Sequence, residues 1–108
     1  MGGDKAKNPD GEMSYHLIIR KRAEKHLAEA YAWYEGQRTG LGAEFMLCID
    51  AKLQVVKKNP FLFQARHKHV RCALVPRFPY GVYYFVDESK IVVIAFFHLS
   101  RNPKLWQR

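Results

Sequence analysis

The sequence predicts an α+β fold of order β-α-α-β-β-β, an N-terminal helical hairpin packed on a small antiparallel sheet. Three observations carry that reading. Two stretches repeat apolar residues at helical spacing on either side of a glycine-rich breaker. Three later stretches are rich in β-branched and aromatic residues and are separated by turn signals. The 108 residues, 48 % hydrophobic and 14 % aromatic, supply one core and are too few for two.

In chain order, residues 1–13 hold three glycines, a proline and almost nothing apolar, so they cannot offset their ordering entropy. They are expected to be a disordered tail before a single domain spanning 14–108, with Met13 as an alternative start. Tyr15 to Ile19 is a short apolar run expected to be the first strand. From Arg20 to Gln37, Ala23, Leu27, Ala30, Tyr31 and Tyr34 form one helical stripe. Trp33 falls off that stripe and marks a candidate contact surface. Gly36 to Gly42 is the breaker, with Leu41 between two glycines planting one apolar side chain. Phe45, Cys48, Ile49, Leu53 and Val56 make the second stripe, which Pro60 ends after Lys57 and Lys58. A basic connector, Phe61 to Lys68, precedes Val70 to Val75, where apolar residues alternate at period two. Tyr80 to Val86 and Ile91 to Phe97 read as strands joined by a hairpin turn at Asp87-Glu88-Ser89-Lys90. His98 to Arg108 is a tail.

Charge is distributed unevenly. Residues 1–50 carry seven Lys/Arg against eight Asp/Glu, whereas residues 51–108 carry eleven against two. No acidic residue lies between Ala51 and Val86, a stretch that holds Lys52, Lys57, Lys58, Arg66, Lys68, Arg71 and Arg77. Such one-sided charge predicts an anionic partner, either nucleic acid or an acidic protein segment. The longest strictly apolar run, Ile91 to Phe97, is seven residues, against the ~18 of a membrane span, and no basic-then-apolar leader opens the chain. No membrane partner is expected. Cys48 and Cys72 lack metal-ligand spacing and fit two small buried hydrophobes in a reducing cytoplasm.

Arg71, Arg77, Tyr80, His98 and Arg101 are the candidate functional cluster, since strand ends in a meander converge on one edge. Cations, a phenol and an imidazole suit metal-free RNA cleavage, with His98 as acid or base and the arginines facing the phosphorane. No carboxylate base is evident nearby, Glu44 lying on the second helix and Asp87 and Glu88 in a turn. His98 reads equally as a polar strand-end residue satisfied by backbone. His67 and His69 share a face but have no third ligand beside them, and Gly40-Leu41-Gly42 follows a helix, unlike a phosphate-binding loop. No metal or cofactor is expected.

Gly40-Leu41-Gly42 with Glu44 and Phe45, then Asn59-Pro60, then Arg77-Phe78-Pro79-Tyr80, and finally His98, Arg101, Pro103 and Trp106 in order resemble the ParE branch of the RelE/ParE toxin superfamily. The match spans residues 15 to 106. The resemblance implies the RelE/ParE toxin fold and a bacterial type II toxin–antitoxin system of the plasmid-stabilisation kind. It also implies an antitoxin whose disordered acidic and apolar tail neutralises the toxin, operator DNA being contacted through the antitoxin. RelE-like members cut messenger RNA on the ribosome with an arginine after the tyrosine that corresponds to Tyr80, where this chain has Gly81. Arg101 matches the RelE arginine near the last strand, but the terminal tyrosine of that branch falls near Gln107. ParE-like members inhibit DNA gyrase by protein contact. On that reading Arg71, Arg77, Tyr80, His98, Arg101, Lys104, Trp106 and Arg108 form a docking surface that antitoxin and target share. A ribosome-dependent endoribonuclease, and a non-toxic member limited to antitoxin binding and operon autoregulation, are the alternatives.

Overall fold

A computed structural model describes residues 15–100; the expected tail at 1–13 and Arg101, Lys104, Trp106 and Arg108 lie outside the described residues. The chain runs β1 (His16–Ile19), α1 (Lys21–Gln37), α2 (Leu41–Lys58), β2 (Ala65–His67), β3 (Val70–Leu74), β4 (Tyr80–Asp87) and β5 (Lys90–His98). The five strands form one sheet in the order β1-β5-β4-β3-β2, with the helical hairpin over one face. The element order and layering expected from the sequence are therefore present, with three differences.

First, the sheet is mixed. β1 pairs parallel with β5, from His16 opposite Lys90 to Ile19 opposite Val93, while all other pairs are antiparallel. Parallel neighbours need a crossover between them, and the entire helical hairpin with three strands supplies it. Second, the basic connector contains β2, whose Ala65 and His67 face Arg71 and Val70 across a register shift. Its residues are exposed or half-buried, so no apolar alternation announced it. Third, α2 starts inside the glycine stretch. Gly40 alone is left-handed, at φ 93°, and Gly42 already belongs to the first helical turn.

A carboxylate builds that joint. Glu35, in the last turn of α1, accepts the Gly40 N–H on Oε2 at 2.8 Å and the Gly42 N–H on Oε1 at 2.9 Å. Its charge sits at the positive end of the α2 dipole and satisfies donors that the helix start leaves unpaired. A Cβ on Gly42 would come 2.9 Å from Glu35 Oε1 and from the Tyr31 ring. Tyr31, expected on the buried stripe, instead lies 40 % exposed against this joint.

The main core lies between hairpin and sheet, built on Ala23, Ala30, Tyr34, Phe45, Ile49, Leu53 and Val56 from the helices and Val82, Tyr84, Ile91, Val93 and Phe96 from the strands. Burial pushes the Tyr84 phenol up to about 12, and its hydroxyl donates to the Pro60 carbonyl. The other sheet face carries a smaller cluster of Cys72, Tyr83, Ala95 and Phe97. Both cysteines are free, Cys72 buried and Cys48 half-buried. Beyond the end of β1, Arg20 N–H donates to Val93 O at 3.1 Å, and His26 Nδ1 on α1 accepts the Phe96 N–H at 3.2 Å.

Three outcomes follow. Gly42→Ala, which helix propensity alone would favour by ~1 kcal/mol, is expected to destabilise by about 1–3 kcal/mol in urea unfolding because the joint is overpacked; Glu35→Ala is expected to cost about 1–2 kcal/mol through two unaccepted N–H groups. His26 is held below its ordinary value of 6.5 by burial and by the Arg22 and Lys25 charges, against Glu29. The fold thus prefers neutral His26, and the unfolded chain binds its proton more readily. The stability from this group is complete above pH 6.5 and is lost as pH falls through the lower folded value. Urea midpoints of wild type and His26→Gln at pH 7.5 and 5.0 should show the smaller pH dependence in the variant.

Candidate functional site

The site is built on a cluster of aromatic rings. Tyr34 of α1, Phe45 of α2, Phe78 of the β3–β4 connection and Tyr80 of β4 pack with centroids 4.9 to 6.2 Å apart, mostly edge to face. The His98 ring at the end of β5 closes the cluster 5.4 Å from Tyr80, the residue it opposes in the strand register. Phe78 is buried, and its anchoring fixes the short connection in which Arg77 takes φ 72°. A left-handed non-glycine residue is a strained arrangement sustained by its surroundings. Val75 N–H to Tyr80 O and Leu99 N–H to Pro79 O tie the two sides of that connection down.

Arg77 then reaches across to α2, where its Nη2 stands 3.0 Å from Glu44 Oε1, with Arg38 Nη2 at 3.5 Å from the same oxygen. The expectation that no carboxylate lies near the cluster is corrected here. Glu44 sits in the first turn of α2, and the Glu35 joint turns that end of the helix toward the β3–β4 connection. The Arg77 hydrogen bond, with Arg38 behind it, holds the Glu44 carboxyl below the usual range. Glu44 also raises Arg77 further above its ordinary value. A carboxylate gripped by two guanidinium groups is a weak proton acceptor, so this triplet is better suited to presenting charge than to general-base work.

Tyr80 is 5 % exposed and serves mainly as a wall of the core. His98 Nδ1 accepts the Ser100 N–H at 3.2 Å, with Ser100 Oγ at 3.3 Å. Arg71 is not part of this group. It opposes Tyr84, four residues along β4 from Tyr80, about 13 Å away. There its guanidinium donates to Phe63 O at 2.7 Å and covers the Phe61 ring at 5.0 Å. The structure therefore brings together Arg77, Tyr80 and His98, adds Arg38 and Glu44, and sends Arg71 to the other end of the sheet. Arg38 and Glu44 were missed because the link that joins Glu44 to Arg77 spans 33 residues in sequence, with Arg38 attached through Glu44; Glu44 two residues after the Gly40-Leu41-Gly42 turn was the available signal. Among the described residues no three His, Cys, Asp or Glu side chains are grouped as a metal site.

Gly81 has a packing role on the opposite face. A Cβ there would meet Cys72 Sγ at 2.7 Å and Leu99 Cδ2 at 3.3 Å. The Cys72 thiol is pushed up by burial and is hydrogen-bonded with Tyr83, so it has little freedom to withdraw. Gly81→Ala is expected to destabilise by about 1–3 kcal/mol, and Cys72→Ala in the same chain should recover part of that loss in a double-mutant cycle. Additive losses would show that Cys72 does not set the glycine requirement.

The comparisons agree with this architecture. The fold matches a solved chain described as the chromosomal ParDE TA system from P. aeruginosa with a TM-score of 0.71, at 15 % identity, over 79 % of this chain and 96 % of that one. A search of curated protein sequences finds no match. The family model described as ParE toxin of type II toxin-antitoxin system, parDE, matches residues 17–103. Covering most of the sequence, including the Glu35 joint, the Arg77 connection and His98, that match establishes that the chain belongs to the ParE toxin family.

Proposed function

We propose that this protein is the toxin of a type II toxin–antitoxin pair, that it arrests growth by binding and inhibiting DNA gyrase, and that a cognate antitoxin with an acidic and apolar disordered tail silences it. Membership of the ParE toxin family is the observation that carries the reading. The site's chemistry supports action by contact. Its only carboxylate among the described residues is Glu44, committed to two arginines. Tyr80 is buried, and Gly81 stands where a ribonuclease of the RelE kind carries an arginine.

Arg77 and Arg38 form a fork over one exposed carboxylate, a geometry that acidic side chains of a partner can share or take over. The same fork would serve antitoxin and target, so that neutralisation is masking. Arg101, Lys104, Trp106 and Arg108 belong to this proposed docking surface as its C-terminal part. The protein would work in the cytoplasm, need no cofactor, and have its operator recognised by sequence through the antitoxin. No described helix is long and apolar enough to cross a membrane. Ribosome-dependent RNA cleavage is the second reading, and the His98 ring standing beside Tyr80 at the strand ends is the observation in its favour.

Purified full-length protein is expected to inhibit supercoiling by gyrase, to leave transcripts on translating ribosomes intact, and to lose inhibition on addition of antitoxin. Arg77→Glu should weaken both gyrase inhibition and antitoxin affinity, each by roughly tenfold or more. Unimpaired supercoiling together with transcripts cleaved by wild type and not by His98→Ala would replace this reading with the ribonuclease. Absence of growth arrest on expression without antitoxin would reduce the protein to antitoxin binding and autoregulation.

A further inference from the structure

The other end of the sheet carries a feature that the gyrase reading does not use. α2 finishes with the exposed Lys57 and Lys58, and the chain then turns through Asn59-Pro60-Phe61-Leu62. In that turn Phe61 is 58 % and Leu62 66 % exposed. Two large apolar side chains adjacent in sequence and projecting into solvent indicate a contact surface.

The turn is held rigidly. Leu62 N–H donates to Asn59 O at 3.1 Å, and the buried Tyr84 hydroxyl donates to Pro60 O. Arg71 lies over one face of the Phe61 ring and Tyr15 meets it edge-on at 6.5 Å. Lys52 Nζ stands 5.3 Å from the centroid of the neighbouring Phe63 ring. The tip is thus preorganised, so presenting it to a partner costs little ordering entropy. The adjoining segments contribute mainly positive charge, and the β4–β5 turn with Asp87 and Glu88 lies at the same end of the sheet, beyond Tyr15. Lys52, Lys57, Lys58, Arg66, Lys68 and Arg71 belong to the stretch without acidic residues, and none of them takes part in an ion pair among the described residues.

We infer that this end of the protein binds duplex DNA, with Phe61 and Leu62 as an apolar wedge and the lysines on the flanking phosphates. The inference is independent of the gyrase reading. Apolar groups that project fit a receptor that is itself a groove, and the grooved anionic macromolecule is a duplex. B-form DNA accepts apolar wedges between base steps from the minor groove, most easily at pyrimidine–purine steps, and kinks as it does so. The wide, shallow minor groove of A-form RNA offers the wedge less purchase. Of the two guanidinium forks in the group, Arg71 is occupied by Phe63 O, leaving Arg66 among lysines that act as point charges, so the binding is expected to depend on deformability more than on base-edge readout.

Fluorescence anisotropy of the full-length protein with an end-labelled mixed-sequence duplex of about 20 base pairs and a central TA step tests this. Binding should weaken with salt, and Lys57→Gln with Lys58→Gln should reduce the log–log salt slope by about 2. Leu62→Ala should weaken binding about tenfold at unchanged slope and should reduce the DNA bend read by energy transfer between the duplex ends. Thermal melts of these surface variants verify that they are folded. No duplex binding, a salt slope indifferent to Lys57 and Lys58, or tighter binding at equal salt to double-stranded RNA or to polyglutamate would overturn the inference. A gyrase supercoiling assay on the same preparations separates the two readings: DNA binding without gyrase inhibition leaves the wedge standing and removes the gyrase target, and inhibition without DNA binding does the reverse.

Discussion

The free edge of β5 is the constraint that the architecture answers. β4 occupies one side of this strand along its whole length, but β1 covers only Lys90 to Val93 on the other. Buried backbone donors and acceptors require partners, and the chain supplies them from the segment that follows β1. Arg20 N–H takes Val93 O, and His26, one and a half turns into α1, takes the Phe96 N–H through a ring nitrogen. The helix must therefore begin directly after β1 and run along β5, where the His26 ring also packs 4.9 Å from Phe97. That placement fixes which face of the sheet α1 covers. It explains why a histidine stands in a half-buried position where an apolar residue would satisfy packing but not the backbone.

The second helix inherits its position from the first through Glu35. Because one carboxylate closes the α1–α2 joint with two backbone N–H groups, the start of α2 is rigidly indexed to the end of α1. Phe45 then lands among Tyr34, Phe78 and Tyr80, and Glu44, one residue earlier, lands beside Arg77. The Arg77 side of the contact is fixed separately by burial of Phe78 in the same ring cluster. Each local choice supports the next, from turn carboxylate to aromatic cluster to charged fork, which is the consistency expected of a sequence that specifies one structure.

What the sequence made legible, and what it hid, divides along physical range. Helical stripes and the period-two strand at Val70 to Leu74 are local patterns, and both helices and the three long strands lie where those patterns place them. β2 carries no pattern because its three residues are exposed or half-buried, and an exposed edge strand imposes no alternation. The parallel partner of β1 depends on contacts some 70 residues apart, which no window along the chain senses. At the site, the Arg77-Phe78-Pro79-Tyr80 run and His98 were legible as a group because strand register unites them. Arg71 reads from the sequence as one more strand-end residue of the same group, yet its position on β3 sends it to the far end. Glu44 and Arg38 enter only through tertiary contact.

The split of the basic residues between two ends has an electrostatic consequence. At the Arg77 end, Glu44 cancels one of two guanidinium charges and organises the remainder into a directional fork. At the Phe61 end no carboxylate is paired with the lysines among the described residues, so the field there is broader and less oriented. The roughly 13 Å between Arg71 and the Tyr80 end exceeds the ~8 Å screening length at physiological salt. On the proposed readings the two ends would therefore engage partners separately, each by contact. A short-range fork discriminates among carboxylates by geometry, whereas a lysine-framed apolar tip discriminates by shape and deformability and tolerates many sequences. Two proposed recognition modes of such different reach, carried by one small sheet, would suit the proposed action by contact.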